Sequence, residues 1–284
     1  MAMTINTKDI SELRARTGAG MMDCKKALEE ANGDMSLASE LLRKKGIAKA
    51  EKRAGRDASQ GLVVIESAGD GSTAAMVELN CETDFVARNE DFQALARQLV
   101  QHALGSSPVG VTHAAFLAEQ MDGKSIEEVV KLASGKTGEA MTVKQVAKFG
   151  VSGGVVGEYR HHNSQVGVLV ELAGATGEPA LALAREVALH VASADPLSVS
   201  MDDIPVEMLE RERRIAEEQV AAEGKPEAIR AKIVDGKVKK YAQERALLEQ
   251  PFVKDESVTV GALVAKLPGA RVVRFARFKV GEAA

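Results

Sequence analysis

Tryptophan is absent from this 284-residue chain, and aromatic residues make up only 3% of it. A Phe placed in a polar setting therefore calls for an explanation. Only two cysteines occur, Cys24 and Cys81, far apart and without a Cys-x-x-Cys pair. That spacing implies neither a zinc site nor a disulfide framework. No stretch of 18 apolar residues occurs, and the start, Met1-Ala-Met-Thr-Ile-Asn, lacks a basic segment followed by an apolar one. The expectation is a soluble, cytoplasmic chain without a membrane span. Charge of one sign is missing too: 37 Lys and Arg stand against 41 Asp and Glu, a net of −4. Bulk nucleic-acid binding is not suggested by that balance. The phosphate-binding, nucleophile-elbow and His-Glu-x-x-His patterns are all lacking, so neither a catalytic centre nor a cofactor is expected.

What is present centres on Asn80-Cys-Glu-Thr-Asp-Phe-Val-Ala-Arg-Asn-Glu-Asp-Phe92. An alternating apolar run, Thr73 to Leu79, precedes it. Phe92, Leu95 and Leu99 follow at helical spacing. The stretch reads as a loop between a strand and a helix. Phe85 sits in its middle among Glu82, Asp84, Arg88 and Asn89. The competing reading starts the helix at Thr83, which puts Phe85, Phe92 and Leu99 on one buried face.

The chain also resembles itself. Leu95-Ala-Arg-Gln-Leu99 and His102 match Leu183-Ala-Arg-Glu-Val187 and His190 at an offset of 88. Upstream, Glu78-Leu79 matches Glu171-Leu172 at an offset of 93, so the first copy carries five more residues between strand and helix. Downstream, Ser125–Val130 resembles Thr259–Val264 at an offset of 134, so the second copy carries 46 more residues after its His. Val143–Phe149 resembles Val273–Phe278. These ordered matches indicate a duplicated unit of strand, strand, helix, helix, strand. Its two departures are the places to look for function.

The expected fold class is α+β. Residues 1–45 form a three-helix bundle of ubiquitin-associated type. Thr7 is the candidate N-cap of the first helix, Asp34 that of the third, and Leu37, Leu41 and Leu42 are its apolar face. Residues 46–60 read as a linker. The basic run Arg43 to Arg56 contacts RNA or, more simply, is solvated and favoured at a helix C-terminus. Residues 61–150 are core copy one, where Ser125-x-x-Glu128 has capping-box spacing. Residues 151–284 are core copy two, with small antiparallel sheets in both. His161-His162 marks an exposed hairpin tip whose alternating side chains cannot readily share a metal. Residues 202–250 are an inserted antiparallel helical hairpin, broken at Glu223-Gly-Lys-Pro226, with Met208, Ile215 and Val220 facing Ile229, Ile233 and Val238. The insertion holds 12 acidic and 10 basic residues, which is not a nucleic-acid stripe. The equivalent places of His102 and His190 favour a scaffold role for both.

Arg16-Thr-Gly-Ala-Gly-Met-Met-Asp-Cys-Lys-Lys-Ala-Leu28 resembles the N-terminal signature of bacterial elongation factor Ts, and Cys81-Glu-Thr-Asp-Phe-Val-Ala87 resembles that family's second signature. Gln250-Pro-Phe-Val253 fits as well, and the resemblance covers essentially the whole chain. It implies guanine-nucleotide exchange on elongation factor Tu, with no chemistry of the chain's own. It implies that Leu13, Arg14, Met21, Met22 and Lys25 contact the partner's GTPase domain. One of two consecutive helix residues usually faces the core, so one Met of the pair is expected buried and the other at the partner surface. It implies that Thr83, Asp84, Phe85 and Val86 wedge near the partner's magnesium site. Val166, Gly167 and His190 would support that contact, and Val253 and Lys254 would lie near the partner's third domain. The short end after the last strand implies that the C-terminal helical module of some members is missing or very short. The alternative function is an RNA-binding or ribosome-associated translation factor without exchange activity. Neither a membrane nor direct nucleic-acid binding is expected under the first reading.

Overall fold

A computed structural model describes residues 5–53, 55–223 and 226–282. Met1–Thr4, Ala54 of the basic stretch, Gly224 and Lys225 of the expected helix break, and Ala283–Ala284 lie outside the described residues. In order, the elements are α1 (Thr7–Thr17), α2 (Met21–Glu30), α3 (Met35–Glu51), β1 (Gln60–Ser67), β2 (Thr73–Cys81), α4 (Asp84–Ala87), α5 (Glu90–Gly105), α6 (His113–Ala118), β3 (Gln120–Met121), β4 (Lys124–Ser125), α7 (Ile126–Thr137), β5 (Met141–Gly150), β6 (Gly154–Arg160), β7 (Val166–Ala173), α8 (Glu178–Ala194), α9 (Val206–Ala222), α10 (Glu227–Arg245), β8 (Pro251–Phe252), β9 (Asp255–Thr259), α11 (Val260–Ala265) and β10 (Arg271–Lys279). This is an α+β fold. Among the described residues no helix is long and apolar enough to cross a membrane.

The chain clusters into two compact units. The first takes the residues up to Val64, Val77–Ala147 and those from Phe278 on; the second takes Ile65–Met76 and Lys148–Arg277.

In the first unit, Asn6 rather than Thr7 caps α1, accepting from the Asp9 N–H at 2.9 Å. Gly18 ends that helix at φ +67°, where a side chain would be strained. Asp34 caps α3 as the sequence suggests, accepting from Ser36 and Leu37 N–H groups. Ile10, Leu13, Cys24, Ala27, Leu28, Ala38 and Leu42 make the bundle's core. Leu37 is exposed instead of facing inward, because Ala38 and Leu42 take the inner positions of α3. The helix continues to Glu51, into the stretch expected to be a linker. It packs on α7, where a Cβ on Gly135 would lie 2.8 Å from the Gly46 Cα, so the two backbones nearly touch. Ser125 caps α7 through the Glu128 N–H at 3.2 Å. The Glu128 carboxylate lies 2.6 Å from Arg43 Nη2.

The two larger sheets share one plan. Their strand orders are β1-β2-β5 and β6-β7-β10, with the second strand of each hairpin central. β2 is buried at all but its first residue, so the expected alternation of faces is absent. A central strand covered on both faces reads as a continuous apolar run. In the second unit β6 and β7 pair antiparallel from Gly154↔Ala173 to Arg160↔Gly167. Helix α8 lies on them, its Ala184 against Gly157, where any side chain would collide. Val168, Val170, Leu172, Val187 and Val191 are among the core residues there. Helices α9 and α10 form the inserted hairpin. Its inner residues are Ala216, Val220 and Val234. Ile215 and Ile229, expected inside, are exposed.

Candidate functional site

The loop after β2 is built from two caps in series. Cys81 ends the strand fully buried, and its thiol donates to the Thr83 carbonyl at 3.1 Å. Burial pushes that thiol up to about 12, so it is inert at neutral pH. Thr83 caps α4, its Oγ1 accepting from the Val86 N–H at 3.4 Å. After this single turn, Asn89 leaves helical geometry and caps α5, accepting from the Asp91 N–H at 2.8 Å. The break at Asn89 changes the helical phase. Phe92 and Leu99 turn inward, whereas Phe85 is 82% exposed. The only inward residue of α4 is Ala87. Asp84 pairs with Arg88 across the turn at 3.0 Å, and Val86 is half-buried.

Two carboxylates tie this loop to the segment between α7 and β5. Glu139 Oε2 accepts the Thr83 N–H at 3.0 Å, and its Oε1 accepts the Thr83 hydroxyl at 2.7 Å. In return Glu82 Oε1 accepts the Ala140 N–H at 2.6 Å and lies 3.3 Å from Arg56 Nη1. That backbone donor, with Arg56 beside it, holds the Glu82 carboxyl below the usual range. No motif in the sequence singles out Glu139. Its signal is positional: it directly follows Gly138, the left-handed residue that stops α7 at φ +85°.

On the bundle, Met21 and Met22 are 45% and 64% exposed. The expectation that one would be buried fails, because Cys24, Ala27 and Leu28 fill the inner face of α2. Arg14 is exposed, as is Lys25, which pairs loosely with Glu29 at 3.8 Å. Leu13 has no exposed surface at all. It belongs to the bundle core and presents nothing to a partner.

In the second unit His190 is buried, so it too offers no surface. Its Nδ1 accepts the Val253 N–H at 3.1 Å, and Nε2 faces Gln250 Oε1 at 2.9 Å. That arrangement leaves the proton on Nε2. Desolvation lowers the ring's pKa, partly offset by Gln250. The ring thus fixes the turn from which Val253 projects, 42% exposed. Lys254 reaches back to Glu186 of α8 at 2.8 Å. Val166 is half-buried and Gly167 buried at the start of β7. His102, at the equivalent place in the first unit, has its Nε2 2.9 Å from Glu119 Oε2. The His161 and His162 rings lie 4.3 Å apart between centroids, tilted by 52°, and the Tyr159 hydroxyl is 2.9 Å from His161 Nδ1. No group of three or more His, Cys, Asp or Glu suited to a metal occurs among the described residues.

Phe85 on its doubly capped turn and Met21 and Met22 on the bundle are among the large apolar side chains that the fold leaves exposed. The family model described as Elongation factor TS matches residues 82–282. The chain belongs to the elongation factor Ts family. It is 47% identical to Elongation factor Ts of Thioalkalivibrio sulfidiphilus over 281 residues, covering 99% of this chain and 93% of that protein. Against Elongation factor Ts of Aquifex aeolicus it is 43% identical over 289 residues, covering 99% of each. Against that of Prosthecochloris aestuarii the identity is 42% over 284 residues, covering 98% of this chain and 99% of that one. The elongation factor Ts match by family model begins at Glu82, the residue that opens the Phe85 loop, whereas the full-length relatives also span the bundle. The family places the chain among translation elongation factors.

Proposed function

We propose that this chain promotes release of GDP from elongation factor Tu by inserting Phe85 beside the magnesium and phosphate site of the GTPase domain, while Met21, Met22, Arg14 and Lys25 grip that domain from the bundle. The observation that carries this reading is the 82% exposure of Phe85 in a chain with only 3% aromatic residues. Burying a Phe removes roughly 150–250 Å² from water, worth at most about 4–6 kcal/mol at about 25 cal/mol per Å². That is the size of an interface hot spot.

Tight binding alone does not speed release. The factor must prefer the nucleotide-free partner, and by reciprocity that preference equals the factor by which it loosens the nucleotide. A wedge that fits only when the phosphate site is disturbed supplies the preference. The reading asks no acid, base or metal ligand of this chain. Val253 and Lys254, held by His190 and Glu186, are its contacts toward the partner's third domain.

The test is the release of a fluorescent GDP analogue from elongation factor Tu. Wild type is expected to accelerate it. Phe85→Ala is expected to lose most of that acceleration with a melting temperature within about 1 °C of wild type, since a truncation at an exposed site changes stability little. Equal acceleration by both would remove Phe85 from the mechanism, and none by folded wild type would remove the exchange function.

A further inference from the structure

The Phe85 turn does not hold itself. A four-residue helix closes too few hydrogen bonds to be stable alone, and its N-cap is a Thr whose hydroxyl has a single proton. That proton goes to Glu139 Oε1 at 2.7 Å, which leaves the oxygen's lone pairs directed at the Val86 N–H. The Thr83 N–H is spent on Glu139 Oε2 at 3.0 Å. Both carboxylate oxygens are therefore used on one residue, the cap of the turn that carries Phe85.

Glu139 is itself fixed. The Gly138 N–H bonds to the Ser134 carbonyl at 2.9 Å and closes α7. The buried Ser134 hydroxyl then donates to the Glu139 carbonyl at 2.6 Å. The clamp sits just beyond the paired strands, after Cys81 of β2 and before Met141 of β5, which are neighbours in their sheet. A Glu82–Ala140 bond in the opposite direction completes it.

We propose that Glu139 is a positioning residue, which orients the Thr83 cap and thereby sets where Phe85 stands; its effect on exchange rests on the function proposed above, but its effect on the turn does not. The carboxylate touches neither nucleotide nor partner in this role. Without it the Thr83 N–H loses its partner and the hydroxyl is free to rotate.

The absence of Trp elsewhere makes Phe85→Trp a unique fluorophore at the position in question. In that background, Glu139→Ala is expected to lower the anisotropy of the indole toward that of a mobile loop. Glu139→Gln is expected to restore most of it, because an amide oxygen still accepts the Thr83 N–H and its NH2 donates to the hydroxyl. In the chain with Phe85, Glu139→Ala is expected to slow saturated nucleotide release on the order of tenfold, as misplacement of a working group does, with the half-saturating concentration shifted much less. Thr83→Val repeats the test from the other side, should Glu139→Ala fold poorly. Its loss and that of Glu139→Ala are expected not to add. Unchanged anisotropy in Glu139→Ala, or additive losses, overturns the proposal. Anisotropy that depends on Glu139 in a protein with no exchange activity sustains the clamp and removes the exchange reading instead.

Discussion

His190 holds a turn with both ring nitrogens, accepting from Val253 and donating to Gln250. The arrangement works only for the neutral ring, so protonation sets a charge in a buried site and ejects the Val253 donor. Its folded pKa lies below the ordinary value of 6.5, with burial the main cause. A depressed folded pKa means that the stabilisation is present above 6.5 and is lost as pH falls through the folded value. Urea unfolding is therefore expected to give lower stability at pH 5 than at pH 7.5. In His190→Gln, a less stable protein, the pH slope should shrink; a slope identical to wild type would assign the acid sensitivity elsewhere. At this scale the sequence reads unevenly. Phe85 could be singled out because scarcity and a polar neighbourhood both mark it. Leu13 follows Ile10 at helical spacing, which marks an apolar face, and both are buried; only the family resemblance, which carries no burial information, made it a contact residue. Glu139 carries no motif at all; its role exists only because two distant segments meet.

Helix α7 shows what a shared element demands. It faces α3 where Gly46 and Gly135 meet, and it ends in the Gly138–Glu139 corner that holds Thr83. Gly135→Ala would put a methyl into the Gly46 backbone. Overpacking of that kind costs about 1–3 kcal/mol, and calorimetry should show the loss as a lower melting temperature. An unchanged value would mean that the helices can separate freely. The inserted hairpin is held by less. Val220 and Val234 anchor a small cluster of their own, and Val220→Ala should cost about 1.5–2 kcal/mol from the two lost methyl groups. Hydrogen exchange should locate the extra opening in residues 206–245, whereas a global increase would show that the hairpin unfolds with the rest. The existence of these helices was legible from apolar periodicity, and Asp34 and Ser125 marked their starts. Which of two adjacent apolar positions points inward was not: Ala216 is buried where its neighbour Ile215 is exposed, and Val234 is buried more fully than its neighbour Ile233, which packs at the edge of the same cluster. The alternation expected of β2 failed because a central strand has no solvent face to betray.

Across the whole molecule, repetition made the plan readable. The matches between the two halves anticipated two sheets with the same strand order, and the offsets pointed to the Phe85 loop and to the helical hairpin as additions. The basic stretch was ambiguous in sequence and is less so in the fold. Arg43, Lys45, Lys49 and Arg56 pair with Glu128, Glu30, Asp23 and Glu82, so a phosphate would compete with carboxylates for these four cations. Any affinity for RNA is therefore expected to be weak. Complex formation with elongation factor Tu should lose far less than the 10³–10⁵-fold that multiple phosphate contacts lose between about 50 and 200 mM salt. Titration calorimetry with elongation factor Tu across that range checks the second expectation, and the same titration with a single-stranded RNA checks the first: tight RNA binding with a steep log–log slope would return the RNA reading to first place.

The double cap around Phe85 has a consequence for the tempo of encounter. A turn already formed in the free protein has no ordering step to complete after contact, so the association rate should keep rising with partner concentration and fall in proportion as solvent viscosity is raised. A rate that levels off at high concentration would reveal an internal rearrangement that this turn does not require.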